Sequence, residues 1–231
     1  MFNLPEKVIF CKECVMSNQK PNSIPEFNHT VSREGAKYMN INEDGICDAC
    51  KYHKIKNQIN WKEREDLLLK LLDKFRKNDG SYDCLVPGSG GKDSVYQSHI
   101  LKTKYGMNPL TTTWPPILYT EYGLKNFYNW INIGGFDNVT FNPNGDVKKI
   151  LTKLSILNLL HPFQTFILGQ KNLAPKVAKK YDIKLIFYGE NEAEYGNPIA
   201  DNELSLRDKS FYTMKNVNDK YLAGVKISDL I

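Results

Sequence analysis

From residue 82 onward, short apolar runs alternate with stretches whose apolar residues recur every three or four positions. The first pattern predicts strands and the second amphipathic helices. Strands are expected over 82–86, 110–114, 138–141 and 184–188. A glycine-rich turn after the first strand opens a helix of about 13 residues that closes near Gly106. Trp114-Pro115-Pro116 breaks the second strand. Thr120 is placed to cap a helix carrying Leu124, Phe127 and Ile131, which Gly134-Gly135 ends. The turn Asn142-Pro143-Asn144-Gly145 precedes a helix marked by Val147, Ile150, Leu151 and Leu154. His161-Pro162 interrupts it, and a further helical stretch runs to about Lys180. Such alternation implies an α/β fold with a mostly parallel, doubly wound sheet and helices on both faces.

Upstream, Leu68, Leu71, Leu72 and Phe75 fall on one helical face, with Asn60 and Glu63 spaced as a capping box before them. Asn78-Asp79-Gly80 ends this helix, which bridges two modules: residues 1–60 and residues 61–231. The polar stretch from about Asn202 is weakly patterned, and Gly224 to Ile231 reads as the start of another element.

The first module lacks periodicity but carries two C-x-x-C pairs, Cys11/Cys14 and Cys47/Cys50. Each such turn aims two sulfurs at one centre, so the two pairs suit a tetrahedral four-thiolate Zn²⁺ site. The segment between them is too poor in apolar residues to hold itself together, which makes a metal the expected staple. An iron–sulfur cluster would use the same four thiolates, and two unrelated turns with free cysteines would show the same spacing. His29 and His53 are spare nitrogen ligands that four cysteines make unnecessary.

Composition narrows the class. The chain has 231 residues, 41% hydrophobic and 12% aromatic, enough to build a core and to exclude disorder throughout. No apolar window approaches the roughly 18 residues of a membrane span. Charges interrupt the N-terminus where a signal peptide needs an apolar stretch, so a cytoplasmic protein is expected. The formal charge of +5 falls to about +3 if four thiolates hold one zinc ion. That balance tolerates an anionic nucleotide without demanding nucleic acid.

The run Pro87-Gly88-Ser89-Gly90-Gly91-Lys92-Asp93-Ser94 follows a strand and opens a helix. Successive N–H groups and a helix N-terminus there make an anion site. Gly90 and Gly91 admit phosphate to the backbone, Ser89 and Ser94 offer hydroxyls, and Lys92 a positive charge. Asp93 fits beside phosphate only if it holds Mg²⁺ or fixes the loop. A Walker A loop is excluded, because it needs glycine at Val86 and a hydroxyl at Asp93. The dinucleotide fingerprint fails at Asp93 as well.

Ser89-Gly90-Gly91-Lys92-Asp93-Ser94 resembles the SGGxDS loop of the N-type ATP pyrophosphatases. The resemblance implies an adenine nucleotide alpha-hydrolase-like sheet, and a loop that cradles the pyrophosphate leaving ATP when an oxygen attacks the α-phosphorus. A narrower likeness runs through Thr113-Trp114 to Tyr119-Thr120, Gly135-Phe136-Asp137-Asn138, Asn142-Pro143-Asn144-Gly145, Leu160-His161-Pro162-Phe163-Gln164, Gly169-Gln170-Lys171-Asn172 and Tyr188-Gly189-Glu190-Asn191-Glu192-Ala193-Glu194-Tyr195-Gly196. These blocks and the paired C-x-x-C motifs are similar to the N-acetyl sugar amidotransferases of bacterial surface-glycan synthesis. Members of that family are expected to continue past Ile231.

The resemblance implies conversion of a sugar acetamido group to an acetamidino group, with ATP and Mg²⁺ as cosubstrates. A partner glutaminase supplies ammonia, since no glycine-flanked cysteine elbow is visible in this chain. Cys84 lies within the first strand, where an inert buried thiol is expected. The crevice at the carboxyl ends of the first and fourth strands is the expected ligand site. It would bring Gly189 and Glu190 opposite Gly90. Asp93, Glu190 and Lys171 are the candidate catalytic groups, with Glu194 an alternative metal or substrate ligand. The family pattern places adenosine contacts at Thr111 to Thr113, so Thr112 and Thr113 join the nucleotide-binding set. Trp114 either stacks on a ring or packs in the core, and His161 is read as a helix-end cap. Two other readings stay open: a tRNA-modifying pyrophosphatase of the thiolation type, and a non-catalytic subunit binding zinc and ATP.

Overall fold

The computed structural model describes residues 4–22, 38–191, 194 and 220–230. The chain divides into two compact units, Met1–Trp61 with Asn191–Ile231, and Lys62–Glu190. The α/β unit therefore ends earlier than the expected 61–231 domain, and the segment from Asn191 groups with the N-terminal module.

In the Lys62–Glu190 unit the described elements are α2 (Trp61–Phe75, counting the one residue before it), β1 (Cys84–Pro87), α3 (Lys92–Thr103), β2 (Pro109–Thr113), α4 (Glu121–Asn132), β3 (Asn138–Thr140), α5 (Gly145–Leu159) and α6 (Gln164–Lys180). β1 pairs with β2, and β2 with β3, both in parallel. The predicted fourth strand is shorter than expected. It reduces to one parallel bridge, Leu85 with Ile186, in which Leu85 N–H donates to the Leu185 carbonyl and Phe187 N–H to the Leu85 carbonyl, both at 2.9 Å. The lateral order is thus 184–188, β1, β2, β3.

Alternation along β1 decides what covers the sheet. Cys84 and Val86 share an apolar cluster with Leu72 of α2, Leu101 of α3 and Trp130 of α4. Leu85 points the other way and joins Leu110, Ile183 and Leu173, Ala174, Val177 and Ala178 of α6. A strand buried on both faces needs an unbroken apolar run, which is what Cys84-Leu85-Val86 supplies. Fully burying Leu72 contributes about 2 kcal/mol. Its neighbour Leu71 on the predicted stripe is 40% exposed, so the stripe is narrower than its periodicity suggested.

The helix ends follow local chemistry. The Thr120 side chain accepts from Gly123 N–H at the start of α4, and Asn144 from the N–H groups of Asp146 and Val147 at the start of α5. Leu160, with φ of 50°, turns the chain out of α5 before Pro162.

In the other unit, isolated antiparallel bridges join Phe10 to Ser17, Pro21 to Tyr38 and Ile41 to Cys47. Helix α1 (Asp48–Lys56) follows directly on Cys47. Near the chain end, β4 (Tyr221–Leu222) and β5 (Val225–Lys226) pair antiparallel across Ala223-Gly224. Both turn residues have positive φ, 55° and 76°, as a type I′ hairpin turn demands. A short 3₁₀ turn, Ile227–Asp229, completes the element expected from residue 224.

Candidate metal centre and glycine-loop site

The four cysteines of the two C-x-x-C turns converge. The sulfurs of Cys11, Cys14, Cys47 and Cys50 all lie within 4.8 Å of one another. Cys11 and Cys50 are 3.9 Å apart and Cys14 and Cys47 3.6 Å, with all four thiols free of disulfides. Zinc–sulfur bonds of about 2.3 Å in a tetrahedron set sulfurs about 3.8 Å apart, so the cage fits one such ion. The cage is pre-formed by the backbone. Glu13 N–H and Cys47 N–H donate to Cys11 Sγ at 3.4 and 3.3 Å, and Met16 N–H to Cys14 Sγ at 3.5 Å.

Burial opposes charge on Cys11, but the N–H donors of Cys47 and Glu13 outweigh it and bring the thiol down to about 6. Burial, with the neighbouring thiols, pushes Cys50 up, and burial raises Cys47 too. A cluster that readily accommodates one thiolate but resists the next is one that a cation completes. Around it pack Met39, Met16, Ile41 and Ala49, a thin apolar shell. His53 is exposed on α1, outside the cage, and His29 lies outside the described residues.

In the α/β unit the glycine loop joins the end of β1 to the N-terminus of α3. Its three glycines are there for different reasons. A Cβ on Gly88 would meet Ser94 Cβ at 2.3 Å. Gly90 has φ of 85°, and a Cβ there would lie 2.6 Å from Phe127 Cα of α4. Gly91 has an ordinary φ of −72° as the N-cap of α3, and a Cβ there would meet nothing within 4 Å. Packing and backbone strain thus account for Gly88 and Gly90 but not for Gly91.

The polar groups of the loop are part-committed. Ser94 is buried and its hydroxyl donates to the Gly91 carbonyl at 3.1 Å. Lys92 Nζ sits 2.7 Å from Asp93 Oδ1, both side chains open to solvent. Ser89 is half-buried. Deeper in α3, Ser98 accepts from the Trp130 indole N–H at 2.8 Å and ties α3 to α4.

Gly189 comes up against this loop. A Cβ on it would lie 3.1 Å from Asp93 Cβ and 3.6 Å from Ser94 N. Glu190 follows it and is exposed. Glu194 belongs to the other unit, where it forms an ion pair with Lys56. Glu192 lies outside the described residues. Lys171 is half-buried on α6, two residues beyond Gly169, which packs flat beneath the Trp114 ring. Trp114 stacks on Phe141 at 5.3 Å, so it serves packing.

Thr112 and Thr113 have a different task from the expected adenosine contacts. Thr112 is 1% exposed and its hydroxyl donates to the Val139 carbonyl at 2.8 Å. Thr113 is fully buried and its hydroxyl accepts from Asn138 Nδ2 at 3.0 Å, as does that of Thr111 at 2.9 Å. Asn138 thus stitches β3 to β2, a role that a run of three threonines does not announce. His161 links helices through its backbone, its N–H donating to Ser155 and its carbonyl accepting from Gln164. Cys84 is fully buried, and burial pushes its thiol up to about 12.

No family model matches the chain. A stretch of 74 residues is 34% identical to the uncharacterized protein MJ1599 of Methanocaldococcus jannaschii. That stretch is 32% of this chain and spans about a quarter, 26%, of the relative's length. Among the described residues, no helix is long and apolar enough to cross a membrane.

Proposed function

We propose that the chain binds ATP at the glycine loop and adenylates the acetamide oxygen of an N-acetylated sugar, which ammonia then converts to an acetamidine. The observation that carries the ATP reading is Gly91. It is a glycine without an internal reason, at the N-terminus of a helix, with open space where its Cβ would be. Close approach of a phosphate to the backbone is a reason that fits. The substrate rests on the resemblance of the surrounding blocks to the sugar amidotransferases, and the doubly wound pyrophosphatase fold on the same likeness.

In this reading the N–H groups opening α3 and the charge of Lys92 hold the β- and γ-phosphates as an intact leaving group. The acetamide oxygen attacks the α-phosphorus, and the bond from that phosphorus to the pyrophosphate breaks. An O-adenylyl imidate results. Ammonia adds to its carbon, AMP leaves with the former acetamide oxygen, and the amidine remains, protonated. Asp93, within the loop, and Glu190, which follows Gly189, are the carboxylates that would hold Mg²⁺ in this reading. A separate glutaminase would furnish the ammonia. Thiol chemistry is disfavoured beside this loop, because Cys84 is a buried, un-ionised thiol.

The test is the fate of atoms. With ATP, ammonium and acetamido sugars, chromatography should find AMP and pyrophosphate, and an ¹⁸O label in the acetamide should end in AMP. ADP with orthophosphate as first products would overturn the mechanism. Gly91→Val should abolish ATP binding by calorimetry in a folded protein, and undiminished affinity would remove the loop from the reading.

A further inference from the structure

We propose that Gln97 is a positioning residue that clamps the turn at residues 188–190 against the first turn of α3. The proposal rests on the ATP-binding reading of the glycine loop. Gln97 stands on α3 one turn after Asp93, on the same face. Its Nε2 donates to the Tyr188 carbonyl at 3.2 Å. The backbone bonds to β1 end with Phe187 N–H, and the next three residues are exposed. Yet Gly189 approaches Asp93 so closely that a Cβ would stand 3.1 Å from the Asp93 Cβ. The Gln97 amide is therefore an anchor at the point where the chain leaves the sheet and must stay beside the loop.

The other end of the same amide gives the second observation. Gln97 Oε1 is buried and has no hydrogen-bond partner among the described residues. Exchanging the two ends of the amide would not relieve this, since it would set two oxygens against each other at Tyr188. A buried acceptor left unmade costs stability, which an apolar chain of the same length would avoid. Departures from local rules of this kind concentrate where a function needs them.

Gln97→Met keeps the length and removes both polar atoms. In the full chain its melting temperature should be unchanged or raised. Hydrogen exchange of the 186–190 segment should quicken about tenfold, and the dissociation constant for Mg–ATP should rise by a similar factor. Gln97→Lys, which keeps a donor for Tyr188, should restore slow exchange and affinity. Unchanged exchange in Gln97→Met overturns the proposal. So does a fall in melting temperature that speeds exchange throughout the α/β unit, because the residue would then serve the core alone. A native chain that binds no Mg–ATP overturns the ATP reading, while the exchange results still support or overturn the clamp.

Discussion

The two units hold themselves together by different means. In the Lys62–Glu190 unit, β1 and β2 of the parallel sheet are buried, and two apolar clusters carry the stability. Among the described residues around the cysteines, the buried cluster is Cys11, Met39 and Cys47 with a few half-buried neighbours, and α1 buries no residue. A cluster that thin cannot offset the chain entropy of the residues it orders by the hydrophobic effect alone. The same element, sulfur, appears in both, but Cys84 fills a core while the other four cysteines face one another. Cooperative packing tolerates loss of a part, whereas a single-ion staple does not.

The largest effect should come from removing the staple. Structural zinc contributes on the order of 10 kcal/mol, more than a small unit's whole stability. A chelator or Cys47→Ser should therefore erase exchange protection around residues 9–22 and 38–57 and leave the melting of the α/β unit nearly unmoved. Elemental assay should find about one zinc per chain. A metal-free protein that keeps protection in that region would end the contrast between the units.

The next effect tests the α/β unit from inside. Gly90→Ala meets both a left-handed backbone and the backbone of Phe127, so it should cost at least about 2 kcal/mol. Gly91→Ala meets neither, and its stability should stay within about 0.5 kcal/mol of the native chain. Chemical denaturation of the two variants, read from the α/β unit, gives the comparison directly. Equal losses would mean that Gly91 is structural.

How much of this was legible in the chain varies with how local the cause is. The cysteine cage was visible, because C-x-x-C spacing is local ligand geometry. Most elements between residues 82 and 180 were visible too, because strand and helix periods are local and Thr120 and Asn144 are strong caps. α1 was not, since DACKYHKIK carries no apolar stripe and nothing on it is buried. The threonines of β2 were misplaced, because only the pairing with β3 shows that Asn138 and Val139 claim their hydroxyls. The ion pair of Glu194 with Lys56 was not legible either, because the two are 138 residues apart in sequence. At the loop, sequence showed three glycines but could not say which of them packing requires.

Cys84→Ala sharpens the contrast between the two uses of cysteine. Deleting one buried heavy atom from the cluster of Val86, Leu101 and Trp130 should cost about 1 kcal/mol. Pyrophosphate formation should persist, since the thiol is not ionised at neutral pH. Loss of turnover in a stably folded Cys84→Ala protein would revive the thiolation reading.

The smallest effect separates the units by the end of the pH scale at which each weakens. Acid should release the metal, because its ligands bind as thiolates, and the cysteine unit should fail first as pH falls. The α/β unit has a group that responds at the opposite end. Tyr82, just before β1, donates its hydroxyl to Asp137, just before β3, at 2.7 Å. That hydrogen bond to a carboxylate, with burial, raises the phenol from 10.0 to about 12. The folded value lies above the unfolded one, so the bond's contribution is fully present below pH 10 and is lost as pH rises through about 12. Tyr82→Phe should accordingly cost little, within about 0.5 kcal/mol at neutral pH, because the pair is near solvent. The difference between native and variant stability should shrink toward zero above pH 10. Ultraviolet titration of the phenolates should show a late-ionising tyrosine in the native chain that is missing from Tyr82→Phe. A difference that grows with alkaline pH would mean that Tyr82 is not held by Asp137.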